Sequence, residues 1–383
     1  MRPADDRPAL RPRTVRAVAR CALGEPEAEL AGWRAVPIAG PLQPRTRVYR
    51  VWGAARAGGR ERDWSAVLKV VPWPATAEQA REAQVYLSGL LGGLPEGLRA
   101  PRLHRASRRP DGALWLWLED VDERVGAWDV PRYGLAARHL GRLGARYAEG
   151  AGLGSARRYL SVGWLRGWIE ANAPAIGVLV SRRSTDLVRL AYPPEVEEGI
   201  RRVWTGRERL LRGLERLPQT LCHFDAHRGN LIAADRPGLA ETVLLDWQFA
   251  GLGPLGADAA PLVGATLTEG GLDVARAAAL EESVLAGYLA GLAEGGWRGD
   301  ERLARAGYAG VAGLRYTVGA TRFLLPLLLE PEQGAAQAGA LGTTLEALAA
   351  AMGGLFPRFL ALAEEAEALL TALEAEGALG ASR

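Results

Sequence analysis

The alternation of apolar and polar positions divides the chain near residue 120. Before that point the apolar residues come in short runs rich in valine, tryptophan and leucine, bounded by proline and glycine. That pattern predicts strands over 32–40, 47–56, 64–73, 101–106 and 113–120. One helical stretch interrupts them: Ala80, Ala83, Leu87, Leu90 and Leu91 recur at helical spacing behind Thr76, a good N-cap, and Gly92 ends the run. The first 120 residues therefore read as a small sheet with one helix. From Pro131 the period changes to long helical segments, over about 131–149, 161–171, 195–216, 272–294, 299–329 and 343–378. No repeat of fixed period appears, and the glycines near 251–256 read as a loop.

Two short stretches break the helical pattern and hold its densest polar chemistry. In Leu221 to Asp235, apolar Leu221 and Cys222 and apolar Leu231 to Ala233 flank a centre with His223, Asp225, His227, Arg228 and Asn230. A polar loop between two short strands is a common way to present reactive groups. In the second stretch Asp246 follows the apolar strand Thr242 to Leu245 and precedes a glycine-rich bend. Carboxylate and amide oxygens from two such loops suit a hard cation such as Mg²⁺, with phosphate oxygens and water completing its shell.

Composition sharpens this picture. With 383 residues, 48% hydrophobic and 24% charged, the chain reads as a soluble globular protein too large for one core. Met1 to Arg13 has no apolar core for a signal peptide and reads as a flexible tail. The longest strongly apolar run, Phe323 to Leu329, is far too short to cross a bilayer, so no membrane span is expected. Cys21 and Cys222 lack metal-ligand spacing and suit a reducing cytoplasm. Of 47 basic residues only Lys69 is lysine, and Asn172 and Asn230 are the two asparagines. In a chain so biased to arginine, a lone strand lysine marks a place that needs a compact point charge. Glu78 and Glu82 on the following helix offer it partners; a solvated helix face is the plainer reading of Glu82 alone.

Taken in order, Lys69, Glu82, the H-x-D-x-x-x-x-N of His223 to Asn230, and Asp246-Trp247 resemble the aminoglycoside phosphotransferase and choline kinase-like families, relatives of protein kinases. The resemblance spans about residues 30 to 265. It implies an α+β, bilobal protein-kinase-like fold with a small β-rich N-lobe and a larger helical C-lobe. The divisions expected are a tail over 1–13, a nucleotide-binding lobe over 14–118, a hinge over 119–122 and a helical lobe over 123–383. It implies phosphoryl transfer from ATP or GTP, with Mg²⁺, to a small-molecule hydroxyl. Lys69 would hold nucleotide phosphates, Glu82 would orient Lys69, and Asp225 would accept or orient the acceptor proton. Asn230 and Asp246 would bind Mg²⁺, and the adenine edge would meet backbone at Leu118, Glu119 and Val121. Asp258 resembles a family aspartate that braces the catalytic loop.

The chain also departs from the family pattern. A glycine-rich phosphate loop is missing, leaving Gly40 and Pro41 to Arg47 to cover the phosphates, and Phe224 stands where glycine is common. Only 12 positions separate Asp246 from Asp258, too few for the long regulatory and peptide-docking segment of protein kinases, which favours a small-molecule acceptor; no nucleic-acid or membrane partner is expected. His223, between apolar neighbours, reads as a buried brace; His227 reads equally as a substrate contact or a structural hydrogen bond. Trp164 and Trp168 share a helix face, and core packing is expected of both. Residues 1–110 carry 20 basic and 10 acidic groups, residues 111–383 carry 27 and 34. That asymmetry reads either as steering toward a cationic acceptor or as simple solvation of helix faces; the family resemblance implies an amine-bearing alcohol, an aminoglycoside or related amino-alcohol, with Glu364, Glu365 and Glu367 as a candidate acidic wall. The alternatives are a metabolic kinase of choline, sugar or homoserine type and a catalytically silent nucleotide-binding module.

Overall fold

The computed structural model describes residues 8–38, 47–123, 125–181, 185–269 and 274–380. Helix α1, Pro12–Leu23, leads into strands β1, Glu29–Pro37, β2, Val48–Ala57, and β3, Arg60–Val71. Helix α2, Ala77–Leu87, and strands β4, Leu98–Arg99, β5, Leu103–Arg108, and β6, Leu114–Glu119, follow. The main sheet is antiparallel in the order β1-β2-β3-β6-β5. Along β3 the pleat turns Trp64, Ala66 and Leu68 to one buried face, where Val15, Val18 and Ala19 of α1 cover them. Each such valine contributes roughly 1.5–3 kcal/mol by leaving water. Lys69 consequently projects from the opposite face, toward α2, whose start is fixed by a capping box between Thr76 and Gln79.

Helix α1 is a correction to the expectation of one helix in this lobe. Val15, Val18, Ala19 and Ala22 have helical spacing, and the helix begins at Pro12, inside the stretch read as a tail. Residues 1–7 of that stretch and nearly all of the segment expected over the phosphates, 39–46, lie outside the described residues.

The larger part is helical. Helix α3, Val130–Arg146, and strand β7, Ser161–Val162, precede α4, Trp164–Ser181, α5, Asp186–Ala191, and α6, Pro194–Arg216. Strands β8, Gln219–Cys222, β9, Leu231–Ala233, β10, Thr242–Leu244, and β11, Gly251–Pro254, come next. Helices α7, Ala259–Thr268, α8, Ala277–Glu294, α9, Glu301–Leu329, α10, Pro331–Ala340, and α11, Leu345–Ala375, complete the described chain. The small strands form two sheets, β4-β10-β9 and β7-β11-β8, which hold the two polar loops side by side. Residues 251–254 are thus a strand, because their backbone pairs with Cys222 and Ser161 despite the glycines. Helix α7 escaped the sequence pattern since it is apolar and buried all round.

Helix α11 is long and apolar enough, by length and composition, to cross a membrane. It contains no long uninterrupted run of strongly apolar residues, because alanines, glycines and glutamates break it up. In the structure Met352, Phe356, Phe359 and Ala363 are buried on it, and it packs beside α9, α6 and α5.

Helices α3 and α8 approach closely through glycine. A Cβ at Gly287 or Gly291 would fall onto the carbonyl oxygen of Gly134 or Arg138. Gly291→Ala is expected to lower unfolding free energy by about 1–3 kcal/mol through overpacking. Gly354→Ala, where a Cβ meets nothing within 4 Å on α11, should instead raise it by up to about 1 kcal/mol through helix propensity. Urea titration of both variants checks the contrast.

Candidate active site

Lys69 Nζ lies 2.6 Å from Glu82 Oε2 and 2.9 Å from Asp246 Oδ1. One ammonium thus joins the sheet, α2 and the loop after β10. Glu82 is buried, so it is not the solvated face that its sequence alone suggested. Burial pushes its carboxyl up to about 7 against the pull of Lys69. Burial also opposes the charge on Lys69, but the two carboxylates outweigh it and raise the ammonium above its ordinary value. Arg81 ties α2 to the same loop by donating to the Gln248 carbonyl at 2.6 Å.

The polar loop after β8 is shaped by Asp258, which is buried and accepts the N–H of Phe224 at 2.7 Å and of His223 at 2.8 Å. Burial pushes this carboxyl up to about 6 even with those two donors. His223 is fully buried. Its Nδ1 accepts from the Asp225 N–H at 3.2 Å, so Nε2 carries the proton and donates to the Leu245 carbonyl at 2.7 Å. Burial pushes the imidazole down to about 4, so it is neutral near pH 7 and serves as the brace its apolar neighbours suggested. A further bond from Leu245 N–H to Asn230 O, at 2.8 Å, locks the two loops together.

Phe224 adopts φ 64°, in the left-handed region that favours glycine, the residue that the family resemblance leads one to expect here. Here the strain is offset by packing: its ring stacks on Trp164 at 4.6 Å. Gly251 and Gly253 make the space, since a Cβ at Gly253 would meet the Phe224 ring. Asp246 is also left-handed, at φ 57°, a conformation that aspartate tolerates better than most residues.

Asp225 is pinned from both sides. Asn230 Nδ2 donates to its Oδ2 at 3.0 Å and to its carbonyl at 2.9 Å, and Arg315 Nη2 donates to Oδ1 at 2.7 Å. Arg315 also donates to the Phe224 carbonyl and sits over the Trp164 ring at 5.0 Å. His227 Nε2 lies 3.6 Å from Asp225 Oδ2, ion-pair range rather than a hydrogen bond. Burial would raise the Asp225 carboxyl, but His227 and Arg315 outweigh it and hold it well below the usual carboxylate range. His227 moves the other way: Asp225 and Glu269 raise it despite burial. Sequence reasoning missed Arg315, whose signal was a lone charge in the apolar helical stretch Val311 to Ala320.

The remaining expected positions are less uniform. Leu118 is buried at the end of β6. The Glu119 carboxylate binds Arg99 at 2.7 Å and its N–H donates to Arg102 O at 2.8 Å, so neither is free to meet a nucleotide. Val121, just beyond the strand, has an N–H with no partner among the described residues and borders a cavity of about 430 Å³. Asn230 has its amide nitrogen bound to Asp225, which leaves its amide oxygen without a partner among the described residues. That oxygen and Asp246 are hard donors that fit Mg²⁺. No cluster of three or more metal-binding side chains occurs among the described residues, so they supply only part of a shell.

One expectation is corrected. Glu364, Glu365 and Glu367 form no acidic wall: on the C-terminal half of α11 they pair with Arg202, Arg305 and Arg209. Trp164 is core, as expected, and Trp168 packs half-buried against the same core while its other side borders a cavity with Asp225 and His227.

A family model described as "Phosphotransferase enzyme family" matches residues 43–304. No curated protein sequence matches the chain. Among solved structures, an aminoglycoside phosphotransferase from Alicyclobacillus acidocaldarius subsp. acidocaldarius DSM 446 is similar with 12% identity and a TM-score of 0.53, covering 98% of each chain. The amicoumacin kinase hAmiN, in complex with AMP-PNP, Ca²⁺ and Ami, has 14% identity and a TM-score of 0.50, over 87% of this chain and 88% of that one. A GDP complex of a mutant aminoglycoside 2'-phosphotransferase has 14% identity and a TM-score of 0.50, over 91% and 98%. At these identities the likeness establishes a shared kinase-like fold, with an N-terminal antiparallel sheet and a larger helical part.

The Phe224 arrangement yields a prediction. Phe224→Gly relieves about 1–2 kcal/mol of left-handed strain but removes a buried ring worth about 3–5 kcal/mol. The expected net loss is about 1–4 kcal/mol in denaturant titration, although the variant restores the common motif. A stabilised variant would show that packing does not offset the strain.

Proposed function

This chain belongs to the phosphotransferase enzyme family, and on that premise we propose that it moves the γ-phosphoryl group of ATP or GTP to a small-molecule hydroxyl. The observation that carries the reading is Lys69, held between Glu82 and Asp246, the latter on a loop bonded to the one in which Asn230 fixes Asp225. Phosphoryl transfer asks mainly for aligned reactants and neutralised phosphate charge, and these groups supply both. The nucleotide complexes of structurally similar kinases support a nucleotide donor here.

Residues 14–118 act as the nucleotide-binding lobe, 119–122 as the hinge and 123–383 as the lobe that holds the acceptor. The nucleotide's adenine edge meets Val121 N–H, with Leu118 and Glu119 as strand-end neighbours. Lys69 binds its phosphates as a compact charge, and Glu82 keeps the ammonium aimed. Asn230 and Asp246 hold Mg²⁺, which when bound neutralises phosphate charge. Two free cysteines, Cys21 and the buried Cys222, support action in the cytoplasm.

In the transfer, a lone pair of the acceptor oxygen forms the new bond to γ-phosphorus. The bond from that phosphorus to the β,γ-bridging oxygen breaks, and the electron pair leaves with the nucleoside diphosphate. Asp225 hydrogen-bonds the hydroxyl proton and orients the attacking oxygen. A carboxylate held this acidic is a weak base, so its work is orientation, and the proton passes on to the product phosphate or water.

Asp225→Asn is expected to lower turnover by roughly 10²–10⁴-fold while nucleotide binding persists. The assay is nucleoside diphosphate release with Mg²⁺, both nucleotides and a broad set of alcohols, with product mass as the second readout. A variant with near-parental kcat would remove Asp225 from its role.

Because Arg315 helps to hold the Asp225 carboxyl down, Arg315→Met should raise the pH at which Asp225 takes up its proton. Carbon-13 NMR of the labelled aspartate carboxylates checks this directly, since Glu82 and Asp258, pushed up to about 7 and about 6, would shape the acid limb of kcat/KM in both proteins. Coincident Asp225 titrations in variant and parent would show that Arg315 does not set its ionisation.

A further inference from the structure

The cavity beside Asp225 indicates the kind of acceptor, an inference that rests on the kinase reading above. It has a volume of about 730 Å³, which suits a drug-sized ligand. Asp225 and His227 line it, together with residues of α4, α7, α9 and α11. Its walls are apolar and aromatic, with Trp168, Tyr316, Phe323, Leu348, Met352 and Leu355. Three of the chain's exposed large apolar residues, Val274, Phe323 and Leu341, line this same cavity. Exposed apolar side chains gathered at one opening mark a surface that meets an apolar partner.

The charges lead to the same conclusion. Among the described residues lining the cavity, the carboxylates are Asp225 and Glu269 and the cationic side chains are Arg315 and His227. Arg315 is already paired with Asp225, and Glu269 lies 3.6 Å from His227 Nδ1. A polycation entering here would leave ammonium groups desolvated without free carboxylate partners among the described lining residues, which is strongly unfavourable. The glutamates of α11 that would balance such a ligand are paired elsewhere, with Arg202, Arg305 and Arg209.

We infer that the acceptor is an alcohol with a predominantly apolar body and at most one positive charge, its hydroxyl presented to Asp225 and its body along α9 and α11. The acceptor O–H becomes a phosphate ester by the transfer written above, with the nucleoside diphosphate as leaving group.

The test uses the full-length protein with Mg²⁺ and ATP or GTP, a series of primary alcohols from 1-butanol to 1-octanol, and the polycation kanamycin. The expected result is a kcat/KM that rises about fourfold per methylene, the effect of burying each CH₂, with no turnover of kanamycin. Calorimetric titration of 1-octanol gives a second readout. Ala351→Asp places a charge on an exposed cavity position of α11 and should flatten the series and weaken octanol binding by tenfold or more. Circular dichroism verifies that it folds. Turnover of kanamycin with a flat alcohol series overturns the inference and leaves the kinase reading standing. Failure of the alcohols both to bind and to react overturns it as well. Absence of magnesium-dependent nucleotide binding in the parent protein would instead overturn the kinase reading itself.

Discussion

The polar loop at the centre of this protein depends on one buried carboxylate. Asp258 accepts the N–H groups of His223 and Phe224 in a site that water does not reach. Without those acceptors the two amides would be buried unsatisfied, at roughly 1–3 kcal/mol each, and the left-handed turn at Phe224 would lose its anchor. Asp225 comes next in the chain, so its direction is set by that turn. Arg315 and Asn230 then fix the carboxylate that the backbone has already aimed.

Lys69 performs the corresponding task between the sheet and the helical part. Its ammonium reaches Glu82 on α2 and Asp246 on the neighbouring loop, and Arg81 adds a neutral-acceptor bond from the same helix. A buried glutamate is costly unless paired. The pairing therefore makes α2, β3 and the Asp246 loop mutually dependent, and movement of any one leaves a charge exposed to a poor environment. The same geometry places a point charge on the carboxylate of Asp246, whose loop is bonded to that of Asn230.

The apolar cavity differs in character from this charged line. Asp225 and His227 give it a polar, braced side, whereas its other walls come from helices packed through alanine, leucine and aromatic side chains. On the proposed reading, bracing positions the reacting groups and the helical walls decide what can reach them. Such a division would let one fold serve unrelated acceptors, with the braced loops kept and the lining of the helices varied.

Much of this was legible in the chain itself. Strand and helix periods separated the two parts near residue 120, the lone lysine singled out Lys69, and the spacing of His223, Asp225, Asn230 and Asp246 brought the chemistry into order. Those features are local, written in neighbouring residues or in a fixed motif. Helix α1 was legible in Val15, Val18 and Ala19 but unread, and α7, buried on every side, left no amphipathic trace. The pairing of Arg315 with Asp225, 90 residues apart, and the glycines that admit Phe224 were decided by tertiary structure, because they depend on which surfaces meet. Net charge also misled: the acidic excess of residues 111–383 pointed to an acidic acceptor wall, while the fold matched Glu364, Glu365 and Glu367 with arginines of other helices. Sequence determined which groups were available and their order; packing alone decided their partners, since a charge counts at a site only when no nearer charge has neutralised it.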